Sequence, residues 1–296
     1  MVYVGQLDCY ERSNEILEKF IDVQVSTTQV YLVTDCYGKL AEEQVNVSRS
    51  LEPVKKDEVL YVQADGSMIL TRDEGWKEVK VGRIFTSGSC IDPNGKSGWI
   101  RHSQYVAHLG NSKHFTDQMD GLIESYGRLG NRLVFVCDGG TWIKNWIEDA
   151  FPEAVSILDY YHACEHLHEF AKTAFTQDSA REKWVSKQKE LLLDSKVERV
   201  IANIRKRDAE SQAAISLINY YRVNVRRMDY KAYKTIGAGI IGSGAIESAH
   251  RTVVQKRMKQ SGQRWSSAGA QNMLNLRVLQ MNGQWEKVVG MIKKVA

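Results

Sequence analysis

The sequence is short of the residues that mark several protein classes. Only three of its 296 residues are proline, which argues against long disordered linkers. Five cysteines (Cys9, Cys36, Cys90, Cys137 and Cys164) form no CxxC pair and are odd in number. Neither a disulfide framework nor a zinc knuckle is indicated, and a reducing cytoplasm is the expected compartment. No signal peptide opens the chain, and no apolar run approaches the ~20 residues that span a bilayer. Repeats and low-complexity segments are missing. The net charge is only +4, so bulk electrostatics do not declare a nucleic-acid binder.

The charge is, however, unevenly spread. From Arg251 onward nine basic residues (Arg251, Lys256, Arg257, Lys259, Arg264, Arg277, Lys287, Lys293, Lys294) stand against one acidic residue, Glu286. A balance of about +8 is the footprint a polyanion such as DNA needs. A basic face that serves only solubility reads the same way from charge alone.

At this length the chain can bury a substantial core, as one large domain or two to three smaller ones. Residues 1–56 suggest a helical segment. ERSNEILEKF and TTQVYLVTDCYGKL, the latter capped by Ser26, are separated by the turn IDVQVS. That is the outline of a helix-turn-helix, although the β-branched run from Val23 to Val30 leaves a strand open.

Between 57 and 160 the period changes. The apolar run at 59–62 meets Gln63-Ala64-Asp65-Gly66 and reads as a strand entering a turn, with separate strands expected over 68–72, 78–85 and 105–109 and a helix over 112–126. The run at 132–137 also ends in an aspartate and glycines, Asp138-Gly139-Gly140. Thr141 is placed to cap the helix WIKNWIEDAF, and 155–158 runs into Asp159. Strand, helix, strand of this length is a parallel βαβ pattern, in which carboxyl ends of strands gather at the ligand site. Asp-Gly is also ordinary turn chemistry.

Residues 161–236 read as a helical insertion, with apolar stripes best taken as packing. Residues 237–296 begin with the glycine-rich GAGIIGSGA, and Ser243 is positioned to cap a helix carrying Glu247. Glu247, His250, Arg251, Val254 and Met258 follow the spacing of one helix face. Taken alone, Glu247 also reads as a surface glutamate paired with Arg251.

Asp65 and Asp138 lie 73 positions apart, and Glu247 follows 109 later. Three carboxylates from different elements suit two-metal phosphoryl transfer: magnesium is hard and is held by carboxylates together with substrate phosphate. The motifs VQADGSM with WKEVKVGRIF, CDGGTWI with FPEAVSILDYYHACEHL, RRMDYKAY, and GSGAIESAHRTVVQKRMKQSGQRWS with LNLRVLQMNGQW resemble a bacterial insertion-sequence transposase of the DDE class, ISKra type, related to Mutator-like elements. The resemblance covers about residues 10–290.

It implies an α/β chain with an RNase H-like mixed sheet flanked by helices, and metal-dependent DNA cleavage and strand transfer with two Mg²⁺ ions, or Mn²⁺ in their place. Asp65, Asp138 and Glu247 would be the catalytic, metal-holding acids. Transposon ends and target DNA would be partners, no membrane or small-molecule cofactor is expected, and synapsis suggests a homodimer or larger assembly. Asp159 and His162 match a D-x-x-H signature of related transposases, making His162 a contact to DNA phosphate or to the acids; His250 is a further auxiliary residue. His162, Cys164, His166 and His168 do not suggest zinc, because only His162 and His166 share a helix face. Arg251, Lys256, Arg257, Lys259 and Arg264 are candidate DNA contacts. Trp265 is a candidate to stack on a base, with core packing the commoner use of a lone tryptophan. Such transposases carry a longer N-terminal region, so a truncated or domesticated copy that binds DNA and represses is the alternative, as is an RNase H-like nuclease.

Overall fold

A computed structural model describes residues 1–45, 53–92, 98–127 and 129–295. Its centre is a five-stranded mixed sheet in the order β5-β2-β1-β6-β7. β1 (Leu60–Thr71) and β2 (Gly75–Thr86) form a long antiparallel hairpin. After the short pair β3 (Cys90–Ile91) and β4 (Trp99–Ile100), β5 (Gln104–Leu109) adds antiparallel to β2. β6 (Leu133–Cys137) pairs parallel with β1, and β7 (Val155–Leu158) parallel with β6. The switch from antiparallel to parallel follows the connections. A tight turn joins β1 to β2, whereas helix α5 (Thr141–Ala150) makes the crossover from β6 to β7.

Period-two alternation sorts the strands onto two faces. Leu60, Val62 and Ala64 of β1 and Leu133, Phe135 and Cys137 of β6 pack with Phe115 and Met119 of α4 (Ser112–Glu124) and with Ile143 and Trp146 of α5. On the other face, Tyr61, Val134 and Val136 meet a helical layer of α6 (Tyr160–Ala174), α7 (Asp178–Leu193), α8 (Val197–Arg207), α9 (Gln212–Asn224) and α10 (Tyr230–Tyr233). Leu167 and Phe170 of α6 are almost fully buried there, at roughly 1.5–3 kcal/mol each. The helical stretch expected before the last acid is thus present.

The chain then enters α11 (Gly244–Ala249), a π-helical turn over His250–Gln255, and α12 (Lys256–Met258). α13 (Ser267–Met281) and α14 (Trp285–Val295) close the chain. α1 (Val2–Leu7), α2 (Tyr10–Ile21) and α3 (Thr27–Val45) lie against this end. Asn275 of α13 donates to Gly38 O of α3, and Asn272 to Asp35. The approach is so close that a Cβ at Gly38 would fall 2.5 Å from Asn272 O.

Several expectations are corrected. β1 runs unbroken through Asp65 and Gly66, because both are paired with β2 as Asp65 to Val81 and Gly66 to Lys80. The N-cap of α5 is Gly140, not Thr141, and no side chain caps it. The segment after α2 is helical from Thr27, with Ser26 Oγ accepting from Gln29 N at 3.1 Å. The two-helix outline is therefore present. One face of α3 is occupied by α13, and its sequence holds Asp35, Glu42 and Glu43 against Lys39, a balance that repels phosphate. Residues 46–52, which belong to the expected N-terminal segment, lie outside the described residues. Among the described residues, no helix is long and apolar enough to cross a membrane.

Candidate active site

Strand register places the aspartates. β1 and β6 pair with Val62 opposite Phe135, and continuing three residues brings Asp65 level with Asp138. β6 and β7 pair with Cys137 opposite Leu158, so the next step brings Asp138 level with Asp159. Three aspartates thus stand at one height on adjacent parallel strands, about 5 Å apart from strand to strand. Asp65 shares its face with Tyr61 and Gln63, the face covered by the helical layer.

Their environments differ. Asp65 is pushed up to about 6, first by burial and then by the neighbouring charges of Asp138 and Glu78; its own backbone contact to Gly66 N and the charge of His162 act the other way. Asp138 accepts from Gly140 N at 2.9 Å, and its backbone carbonyl is held by Arg227 Nη2 at 3.2 Å. Asp159 is 3 % exposed. Its Oδ1 caps α6 through Tyr161 N at 2.7 Å, and its Oδ2 accepts from Ser243 Oγ. Asp159 therefore ties the glycine-rich loop to the end of β7 rather than facing a ligand. Ser243 occupies the N-cap place of α11, but its hydroxyl goes to Asp159 and not to the helix.

Gln63, two residues before Asp65, fixes the start of α11. Its Nε2 donates to Gly242 O at 3.0 Å, and its Oε1 accepts from Ile246 N at 2.9 Å. Arg83 Nη1 adds a bond to Ala245 O at 2.8 Å. Tyr61 anchors the loop's beginning, donating to Ile236 O at 2.7 Å and accepting from Ala238 N at 3.1 Å. A Cβ at Gly242 would sit 2.4 Å from the exposed Tyr161 ring, which would have to shift to admit it. β1 thus carries both an acid and the clamp that positions Glu247, the next residue after Ile246. Sequence reasoning passed over Gln63, Arg83 and Tyr61. A polar Gln63 inside the strand run was the available signal.

Glu247 itself is exposed and makes no ion pair with Arg251 among the described residues. The π-helical turn rotates the helix after Ala249. His250, Val253, Val254, Arg257 and Met258 face inward, while Glu247 and Arg251 face out, so the single face expected for Glu247, His250, Arg251, Val254 and Met258 is split. His250 Nε2 stands 3.5 Å from Asp65 Oδ2, beyond a hydrogen bond. Burial lowers the imidazole to about 4, so it is neutral at pH 7, and neither ring nitrogen has a partner. His162 is partly exposed, contacts Glu165 at 3.1 Å, and stacks edge-on to His166 with centroids 4.8 Å apart. His166 rests on Tyr220 at 4.3 Å. Cys164 turns into the core.

A family model described as an uncharacterised protein family, UPF0236, matches residues 5–295. The chain belongs to that family. It is also 25 % identical over 248 residues to the UPF0236 protein in the vanSb 3′ region of Streptococcus gallolyticus, covering 79 % of this chain and 52 % of the relative. The chain therefore spans about half the length of the curated relative it matches.

For this UPF0236 chain, two DNA-contact expectations are overturned by burial. Arg257 is 1 % exposed and Trp265 7 %. Arg257 Nε donates to Gly5 O at 2.9 Å, and Trp265 Nε1 to Met258 O at 3.0 Å; neither side chain reaches a surface. Arg277, counted in the basic tail, is buried too and bonds to Gln6 and to the backbone of Thr252 and Val253. Arg251, Lys256, Lys259 and Arg264 are exposed, and Lys259 lies close enough to Asp65 to feel its charge.

Among the described residues, no three His, Cys, Asp or Glu side chains stand together as a metal site. The Asp65–Asp138 pair nevertheless matches what magnesium takes from a protein, one or two carboxylates with substrate phosphate supplying further oxygens. Burial first, and then the charge of Asp138, raises the Asp65 carboxyl to about 6, and a cation beside the pair would relieve that repulsion.

Proposed function

We propose that this chain is the catalytic portion of a DDE-class DNA transposase with an RNase H-like fold. Asp65 and Asp138 would hold divalent metal and Glu247 would complete the site. The observation that carries this reading is the alignment of Asp65 with Asp138 on adjacent parallel strands, with the Asp65 carboxyl raised by burial and by its neighbour. The mixed sheet, with a helical stretch before the last acid, agrees with that fold.

Magnesium, or manganese in its place, would supply Lewis-acid activation and charge neutralisation at the scissile phosphate. The remaining work falls to the chain's own groups. The clamp of Gln63 and Arg83 holds the backbone that carries Glu247. Neutral His250 offers an unpartnered ring nitrogen to Asp65, and a small approach would orient that carboxylate. Lys259, Arg251, Lys256 and Arg264 are exposed cations that position a phosphate backbone without reading its bases. The reaction would be hydrolysis of a strand at an element's end, followed by attack of the freed 3′-hydroxyl on target DNA, with two ends brought together in a homodimer or larger assembly.

The test is cleavage of labelled DNA carrying candidate ends, with Mg²⁺ or Mn²⁺. Asp65→Asn, Asp138→Asn and Glu247→Gln should each abolish cleavage while the variants stay folded. Full activity in one of them removes that residue from the assignment. A second reading, a catalytically silent DNA-binding repressor, draws on the exposure of Glu247 apart from the aspartate pair. It predicts DNA binding without metal-dependent cleavage. Cleavage without strand-transfer products would instead identify a nuclease.

A further inference from the structure

A cavity of about 390 Å³ opens between the N-terminal helices and the segment after α12, in the size range of small-molecule sites. Tyr10, Tyr31, Arg72, Arg257, Arg264 and Trp265 line it. Glu11 contributes the one carboxylate of the lining, so its formal balance is +2.

Arg257 defines the chemistry. Its guanidinium packs against both Tyr10 and Trp265, 4.7 and 4.9 Å from their ring centroids. Nε is held by Gly5 O, and Nη1 lies 3.1 Å from the side-chain oxygen of Gln263 in that amide's favoured orientation. Nη2 has no hydrogen-bond partner. No carboxylate pairs with Arg257 among the described residues. Nearby acids are engaged elsewhere: Asp8 takes Cys9 N at 2.8 Å and Arg12 at 3.4 Å, and Asp35 accepts from Asn272 at 3.0 Å. A buried cation with neither counter-ion nor full hydrogen bonding is costly, and an oxyanion in the cavity would supply the missing counter-charge. Arg72 and Arg264 stand exposed at its rim, where guanidinium groups match phosphate geometry.

We propose that this cavity binds a phosphoryl group. The rim arginines Arg72 and Arg264 take its oxygens, the buried Arg257 guanidinium adds its charge from beneath, and the aromatic wall of Tyr10 and Tyr31 accepts a nucleoside attached to it. The site involves neither Asp65 nor Asp138, so the proposal stands whether or not the chain cleaves DNA. A free nucleotide and the phosphorylated end of a DNA strand present the same chemistry.

The experiment is calorimetric titration of the intact protein, in chloride buffer at fixed ionic strength with chelator, using dAMP, deoxyadenosine, and a tetranucleotide with and without a 5′-phosphate. The phosphorylated member of each pair should bind at least tenfold more tightly. Arg72→Ala and Arg264→Ala should each weaken that binding at least fivefold without shifting the ligand-free melting temperature. A tighter phosphorylated tetranucleotide assigns the site to a strand end, and tighter dAMP to a free nucleotide. Arg257→Met, which removes the buried charge, should weaken the phosphate preference at least threefold; if that variant does not fold, the rim variants decide. Equal affinity with and without phosphate, or affinity unchanged in both rim variants, overturns the proposal.

Discussion

Replacing Asp138 with asparagine should stabilise the metal-free protein. Asparagine keeps the oxygen that accepts from Gly140 N and removes only the charge. Two unit charges ~5 Å apart repel by roughly 3 kcal/mol at an effective dielectric of about 20, and by roughly 1 kcal/mol in water. The Asp65 side chain is 39 % exposed, so solvent screening puts the gain at the lower end, about 1 kcal/mol. For a chain of this size that is a rise of roughly 2–3 °C in Tm. The assay is thermal unfolding at pH 7.5, in chelator and again with Mn²⁺. Wild-type protein should gain stability with Mn²⁺ as RT ln(1 + [L]/Kd), about 1.4 kcal/mol at ten times Kd, and Asp138→Asn should gain little. A variant less stable than wild type in chelator would refute the repulsion argument. Equal stabilisation of both proteins by Mn²⁺ would refute the metal site.

Gln63→Leu should cost roughly 2–3 kcal/mol, because it leaves Ile246 N and Gly242 O without partners in the interior; urea unfolding measures it, and cleavage should fall as Glu247 loses its anchor. Gly38→Ala should destabilise by roughly 1–3 kcal/mol, since its Cβ would meet Asn272 backbone, and hydrogen exchange should rise in α3 and α13 together. His250 is lowered to about 4 from an unfolded value near 6.5, so its contribution is present above 6.5 and is lost as pH falls toward 4. Wild type should therefore lose roughly 2 kcal/mol more than His250→Gln between pH 7 and pH 5. Asp65, raised to about 6, works in the opposite sense: protonation favours the fold as pH falls through 6, and the comparison with His250→Gln separates the two.

Much of the chain was readable in order. Apolar runs located β6, β7 and the start of β1, their parallel βαβ pattern follows from helix-length connections, and Asp138 and Asp159 stood directly after strand ends, whereas Asp65 lies inside β1. Ser26 announced the start of α3 by ordinary capping chemistry. These features are local: a strand period, a cap or an Asp-Gly pair is written in a few neighbouring residues.

What the sequence by itself determined is the element types, the βαβ order and the candidate acids. Which groups meet was decided only by tertiary structure. Asp65 continues a strand because β2 supplies its ladder across a hairpin, a partner that no turn propensity at Asp-Gly can foresee. Arg257 and Glu247 lie on one short helical segment of similar polarity, yet one is buried under Tyr10 and Trp265 and the other faces solvent. A π-helical turn and packing from residues some 250 positions away in the chain set that difference. The aspartates' common level is likewise a property of register, which depends on how three strands slide against one another until each face finds its own layer of helices. Burial and pairing are sums over distant contacts, and those exist only once the chain has folded.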